Sequence, residues 1–164
     1  LCMSYRTQYG CNFISAMPTN LYGPNDNYDP LNSHVIPAML RKFILAKRNN
    51  INNVEMWGSG TPLREFMHVD DVADACLFLM NTYNELGFIN ISSQEELSIK
   101  SIAEIIKKIT NYPGSINWDI SKPDGTPRKI MDNSKLTSMG WSPKIKLNEG
   151  LKLVFEEVKN KQFL

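Results

Sequence analysis

No apolar run in the sequence comes near the roughly 20 residues that a bilayer-spanning helix needs. The start carries no basic stretch followed by an apolar one, so no secretory signal peptide is read there. Neither sign of charge dominates: 18 Lys and Arg stand against 17 Asp and Glu. General binding to nucleic acid or to a membrane surface needs a basic surplus, so both are excluded as partners. An anionic ligand must then be held by a few placed cations. Cysteine is scarce. Cys2, Cys11 and Cys76 are odd in number and far apart, and form neither a metal pattern nor a disulfide framework. Cys76 falls in an apolar helical run and is expected in the core. Also absent is any Gly-x-Gly-x-x-Gly or Gly-x-x-Gly-x-x-Gly behind a strand. Gly58-Ser59-Gly60 lacks both the third glycine and the helix after it, so the pyrophosphate of a dinucleotide has no cradle in this chain. A cytoplasmic protein fits these features.

What is present suffices for one core. With 42% hydrophobic residues over 164 positions, the chain can bury one apolar centre but not two independent ones. Leu1-Cys2-Met3-Ser4-Tyr5-Arg6 reads as the tail of an amphipathic helix closed by Gly10. No initiator Met or capping residue stands before it, so the chain is expected to begin inside an element, as a piece of a longer protein. A strand follows at 13–17, then a turn-rich loop, Tyr22-Gly23-Pro24-Asn25-Asp26-Asn27. Asn32 or Ser33 can cap a helix to about Arg48, whose Val35, Ile36, Met39, Leu40, Phe43 and Ile44 recur at helical spacing. Pro37 falls near its first turn, where a missing N–H does least harm.

Strands are expected at 54–57, 65–69, 88–91 and 116–118. A helix capped by Asp70 or Asp71 runs to Met80. The clearest helix has Ser98 as its cap, Leu97 stapled on Ile102, and Ile102, Ile105, Ile106 and Ile109 as its buried stripe. Residues 122–129 form a polar loop, and two helices close the chain at 133–139 and 147–161. Strands alternating with helices indicate an α/β fold.

Four stretches can carry chemistry. Residues 17–24 run from a strand into a loop dense in Pro, Gly, Asn and Thr, at the kind of place where open α/β sheets bind ligands; a plain strand-ending turn reads equally. His34 opens a helix, and a helix N-terminus favours the neutral imidazole, which can both give and take a proton near pH 7. The bland alternative is a solvent-facing first-turn histidine. Lys42 lies eight residues on, about two turns, on the same side. In residues 57–71, Gly58 and Gly60 allow tight turns, Trp57 offers a flat stacking face, and Arg64 offers a rigid fork for a diphosphate. An ordinary hairpin with one exposed arginine is the alternative there. His68, one step before a helix cap, is assigned a structural role. The loop 122–129 carries three cations and can close over an anion or simply face water.

These residues together carry a resemblance. Residues 17–24, the run Asn32-Ser33-His34-Val35-Ile36-Pro37, residues 57–72 and residues 121–129 resemble the GDP-L-fucose synthases, or GDP-4-keto-6-deoxy-D-mannose epimerase/reductases, of the extended short-chain dehydrogenase/reductase superfamily. Arg64-Glu65-Phe66-x-His68-Val69-Asp70-Asp71 is general to that superfamily. Asn32-Ser33-His34 combined with Ser121-Lys122-Pro123-Asp124-Gly125-Thr126-Pro127-Arg128-Lys129 is specific to the fucose synthases. The resemblance implies the C-terminal substrate-binding domain of an extended enzyme plus the last part of a Rossmann-type parallel sheet. Residues 1–31 would be the Rossmann remnant and 32–164 mainly the sugar-nucleotide-binding domain, with segments returning to the Rossmann sheet.

The resemblance also implies an activity: epimerisation beside a ketone, followed by NADPH-dependent reduction of that ketone. It places Pro18, Thr19, Asn20 and Leu21 along the nicotinamide end of NADP. His34 becomes the catalytic acid, also near the cofactor, and Lys42, Trp57, Arg64 and Asp124 bind the GDP-sugar, with no metal. Lys42 departs from the Arg of some relatives and gives up its bidentate fork. The family's glycine-rich loop, its Ser and Tyr-x-x-x-Lys group, and the Cys that pairs with the histidine have no counterpart here. The first helix resembles the end of the Tyr-x-x-x-Lys helix, a dimer contact in the family, so the parent enzyme is expected to be a homodimer. The chain alone is expected to bind sugar nucleotide weakly and not to turn over. Another NAD(P)-dependent sugar-nucleotide epimerase or dehydratase, or a non-catalytic module complementing a separate N-terminal half, are the alternative readings.

Overall fold

The computed structural model describes residues 1–161; the expected second domain's residues 162–164 lie outside them. The elements are α1 Cys2–Tyr9, β1 Ser15–Pro18, β2 Asn20–Tyr22, α2 Val35–Arg48, β3 Asn53–Trp57, β4 Leu63–His68 and α3 Val69–Thr82. They continue as β5 Phe88–Ile91, β6 Glu96–Ser98, α4 Ile99–Ile109, β7 Ser115–Asp119, β8 Arg128–Lys129, α5 Ser134–Ser138 and α6 Leu147–Val158.

The fold turns on a change of partner along residues 15–22. β1 pairs in parallel with β5, Ser15 opposite Phe88 and Pro18 opposite Ile91. The Thr19 N–H still reaches the Ile91 carbonyl at 3.0 Å. From Asn20 the same run pairs in parallel with β4 instead, Asn20 opposite Phe66. β4 is the centre of its sheet, with β6 antiparallel and β8 parallel beside it. β3 and β7 form a separate parallel pair.

Two apolar clusters follow this division. The larger gathers Ile36, Leu40 and Phe43 of α2, Ile102 and Ile106 of α4, and Leu151 and Val154 of α6. The smaller joins Ile89 and Ile91 of β5 to Leu79 of α3, Leu136 of α5 and Trp141. Between α2 and α4 the helical periodicity read from the sequence holds: Ile102 and Ile106 are fully buried and Ile105 and Ile109 partly so. Leu97 packs on the same cluster, and Ser98 Oγ accepts the Ser101 N–H at 3.0 Å, the expected cap. Pro37 is the third residue of α2, inside the first turn. Val35 alone of the expected stripe stays open, 40% exposed.

Several local expectations are corrected. Neither Asp70 nor Asp71 caps α3. His68 does, its Nδ1 accepting the Asp70 N–H at 3.3 Å. Asp71 instead turns inward, and its two oxygens accept the backbone N–H groups of Lys144 and Ile145 at 3.1 and 2.9 Å. Asn32 and Ser33 do not cap α2; His34 occupies that position, with no side-chain bond to the helix. Tyr22 ends a strand rather than starting a loop, and β6 and β8 are strands too short to show a period. α1 buries none of its residues, so it has no apolar face turned to a core within this chain. Gly10 does end it, in the left-handed conformation at φ 67°, donating to Arg6 O. Cys76 is exposed, not in the core. The apolar run of α3 surrounds the helix, and only the side carrying Ala75 and Leu79 packs inward. Leu77 and Met80 stay 62% and 74% exposed on the other sides.

The burial of α4 sets a test. Ile106→Ala leaves a cavity among fully buried neighbours and should cost about 2–5 kcal/mol. Lys108→Ala, on the exposed side of the same helix, should stay within about 0.5 kcal/mol. Urea unfolding of the two variants checks the difference.

Candidate functional site

The change of strand partner at Thr19 opens a crevice beyond the carboxyl end of β1, where open α/β sheets hold ligands. A cavity of about 250 Å³ lies there, lined by Asn20, Leu21, His34, Val35, Ile36, Arg64 and Phe66. Three separate segments supply its walls: β2, the start of α2 and β4. Asn20 is fixed by its Nδ2, which donates to the Glu65 carbonyl at 2.9 Å. His34 sits at the N-terminus of α2 in extended backbone, φ −75° and ψ 173°, and its ring makes no capping bond. The imidazole is therefore exposed at the cavity rather than spent on its own helix. Arg64 donates from Nη1 to the Leu63 carbonyl at 2.8 Å and has no acidic partner among the described residues.

A second cavity of about 270 Å³ adjoins the first. Lys42, Met56, Trp57 and Trp118 are on its lining, and Val35 lines both cavities. The exposed apolar residue of α2 is thus the shared wall. Trp57 is 69% exposed, and Lys122 Nζ lies 5.8 Å from the centre of its ring, within reach of a cation–π contact. Lys42 Nζ donates to the Glu55 carbonyl at 2.8 Å. Burial lowers its pKa below the ordinary lysine value, with the Glu55 charge opposing. An ammonium held in that way gains from any anion placed beside it.

Asp124 lines neither cavity. Its Oδ1 accepts the Ser59 N–H at 2.8 Å and its Oδ2 accepts the Ser59 hydroxyl at 2.6 Å. These two bonds, the hydroxyl foremost, hold the Asp124 carboxyl below the usual range. Gly58 has φ +76°, and a Cβ there would run into Asp124 Oδ1, so the turn is shaped around this carboxylate. The latch fastens the loop 122–129 to the turn that follows Trp57. At the other end of the loop, β8 pairs with β4 and Arg128 binds Glu96 through two bonds at 2.7 and 3.1 Å. Gly125 passes close to Arg64 Nη2.

Of the remaining expected residues, Pro18 is exposed at the end of β1, just before the cavity. Thr19 is buried, its hydroxyl turned toward the Glu65 carbonyl at 3.5 Å, and it is not on the cavity lining. Sequence reasoning brought out neither Ser59, which holds Asp124, nor Trp118, which the β3–β7 register sets opposite Met56. Glu65, fully buried, also went unnoticed. Ser59 and Asp124 are 65 residues apart, so no local signal pointed to their bond. Nothing in the spacing of Trp118 announces its neighbour.

The architecture is that of the C-terminal substrate-binding domain of an extended short-chain dehydrogenase/reductase, with the last part of a Rossmann-type parallel sheet. Residues 1–92 match the NAD dependent epimerase/dehydratase family, and the chain belongs to it. It is 54% identical over 155 residues to GDP-L-fucose synthase 1 of Arabidopsis thaliana, covering 94% of this chain and 48% of that protein. A GDP-6-OMe-4-keto-L-xylo-heptose reductase from C. jejuni superposes with a TM-score of 0.88 at 35% identity, over 96% of this chain and 57% of its own. A GDP-L-fucose synthetase from Naegleria fowleri bound to NADP gives 0.85 at 30% identity, over 93% and 49%. The chain spans about half the length of the curated relatives it matches. Among the described residues no helix is long and apolar enough to cross a membrane.

The Asp124 latch is sensitive to acid. A carboxyl whose folded pKa lies below its unfolded one favours the folded form above the unfolded value, near pH 4. That contribution is lost as the pH falls through the depressed folded value. Titrating the Ser59 amide by NMR should show its environment change below about pH 4, and Asp124→Asn should abolish the transition.

Proposed function

We propose that this chain is the sugar-nucleotide-binding part, with one wall of the nicotinamide pocket, of an NADP-dependent GDP-L-fucose synthase. That enzyme converts GDP-4-keto-6-deoxy-D-mannose to GDP-L-fucose. The single observation behind the reading is the cavity that gathers Asn20, Leu21, His34 and Arg64 and shares Val35 with the cavity of Lys42 and Trp57. One end carries an acid–base group at a strand switch, and the other an aromatic face and a cation. The names of the three relatives described above all begin with GDP, and one was solved with NADP bound.

The residues divide the work as follows. Trp57 stacks against the base or a sugar, and Lys42 and Arg64 offset the diphosphate charge. Asp124, held at the turn by Ser59, takes hydroxyl donors of the sugar nucleotide. His34 returns a proton to a carbon beside the ketone, which requires a group able to give and take protons near neutral pH. Pro18, Thr19, Asn20 and Leu21 run along the nicotinamide end of the cofactor. The cavity's make-up suits that group: an amide and an imidazole beside Leu21, Ile36 and Phe66 offer polar edges around an apolar floor. NADPH, when bound, supplies the hydride that reduces the ketone.

Residues 1–31 together with β5 belong, in this reading, to the Rossmann-type domain, and residues 32–164 mainly to the sugar-nucleotide domain. Parallel sheets are normally covered on both faces. β1 and β5 form a two-stranded parallel pair whose Met17 and Phe88 are 48% and 64% exposed, which supports their belonging to a larger sheet. The whole enzyme is a homodimer in the cytoplasm. By itself the chain turns nothing over, because hydride transfer needs a bound and oriented cofactor and no glycine-rich cradle is present.

Calorimetry with the 164-residue chain should show GDP bound more tightly than UDP, and Arg64→Lys should weaken GDP about 10- to 100-fold by removing the fork. Equal affinity for UDP and GDP would point to another sugar-nucleotide epimerase. In the complete enzyme, His34→Gln should suppress exchange of the protons beside the ketone far more than ketone reduction. Equal loss of both removes His34 from its role.

A further inference from the structure

Glu65 is fully buried in the middle of β4, yet no part of the reading above uses it. Its carboxyl group meets donors only. Oε1 accepts the Ser92 hydroxyl at 2.6 Å and the Gln94 N–H at 2.9 Å, and Oε2 accepts the Met131 N–H at 3.0 Å. No cation pairs with it among the described residues. The surroundings are bent toward it: Gln94 holds the left-handed conformation at φ 60°, a strained state for a residue with a side chain. Behind the carboxyl group, the carbonyl of the same residue takes the Asn20 amide at 2.9 Å and the Thr19 hydroxyl at 3.5 Å.

One residue therefore touches three segments that the sequence keeps far apart. Asn20 lines the first cavity, and Thr19 is the buried residue just before it. Residues 92–94 leave β5, the partner of β1. Met131 follows β8, which ends the loop that carries Asp124 and is paired with β4 beside Arg64. Buried polar groups so fully satisfied fix one arrangement, because any other leaves donors unpaired.

We propose that Glu65 is a positioning residue that ties the strand switch at Thr19 and Asn20 to the loop 122–131, so that the two ends of the site move as one body. The proposal rests on the functional reading only in taking that loop to face the nucleotide. An amide at this position keeps the shape but offers one acceptor oxygen and an NH2 with two donors where the carboxylate met three donors. Glu65→Gln must therefore set donor against donor at the backbone N–H of Gln94 or of Met131, whereas the Ser92 hydroxyl can turn and accept.

The test compares amide hydrogen exchange in the 164-residue chain and its Glu65→Gln variant, without ligand, under conditions where both are folded. Exchange should rise about tenfold or more at 92–94 and 128–131 and also at 19–22, while α4 and the β3–β7 pair stay unchanged. A rise confined to 92–94 and 131, with 19–22 unmoved, overturns the coupling. If Glu65→Gln does not fold, Ser92→Ala decides. It removes one donor and should produce a smaller rise in the same three segments, and no change at 19–22 in the folded variant overturns the proposal equally. Calorimetry supplies the second arm. GDP should bind Glu65→Gln about tenfold more weakly than the unaltered chain, whereas a purely structural residue would lower the melting temperature and leave the affinity alone. Unchanged affinity counts against Glu65. Absence of GDP binding by the unaltered chain counts against the functional reading instead, and the exchange measurement still decides the coupling.

Discussion

Everything in this structure is arranged around the point where residues 15–22 leave one strand partner for another. Up to Pro18 the backbone is committed to β5, and from Asn20 it is committed to β4. Such a handover leaves a gap between two sheets, and polar backbone groups at a gap must find partners or water. Here the Thr19 N–H goes to Ile91, while the Asn20 amide and the Thr19 hydroxyl go to the Glu65 carbonyl. The crevice is stable because its edges are bonded across it. Exposed His34 and half-buried Arg64, both on its lining, have no acidic partner among the described residues.

The same constraint explains the division of labour between the two apolar clusters. β5, α3 and α5 enclose the smaller one, and α2, α4 and α6 the larger. The crevice lies on the seam between them. His34 and Arg64 line it and belong to neither cluster. Val35 has the right spacing for the core of α2 but remains on the shared wall of the two cavities. Trp57, whose size would make it a natural core residue, is left open beside Lys122, on the cavity that Lys42 also lines. An exposed aromatic face flanked by cations is an unfavourable surface for water and a favourable one for an anionic ligand with a flat ring.

The acids divide by burial in an instructive way. Asp71 and Glu65 are deep and are satisfied by backbone N–H groups, plus the Ser92 hydroxyl for Glu65, so they brace the scaffold. Asp124 is at the surface, held only by Ser59, and can exchange that partner for another. Surface bonds of this kind hold a loop lightly. The Arg128–Glu96 pair and β8 anchor the loop's other end more firmly.

The amino-acid sequence by itself determined the helices and most strands, because periodic burial is a local property. The stripe of α4, the Ser98 cap, the Gly10 stop and the strand at 88–91 were legible from spacing alone. Trp57 and Arg64 drew attention by residue type and setting, whereas His34 stood out only through the family resemblance. Properties set by partners distant in the chain were not legible. Asp71 looked like a cap, yet its bonds go to residues 73 and 74 positions away. Cys76 looked buried, but which side of an all-round apolar helix packs is decided by the sheet it meets. The strand switch at Thr19, the Trp118 neighbour of the second cavity and the burial of Glu65 all follow from strand order and register. Those depend on which surfaces bury the most together, a sum over the whole fold that no local window contains.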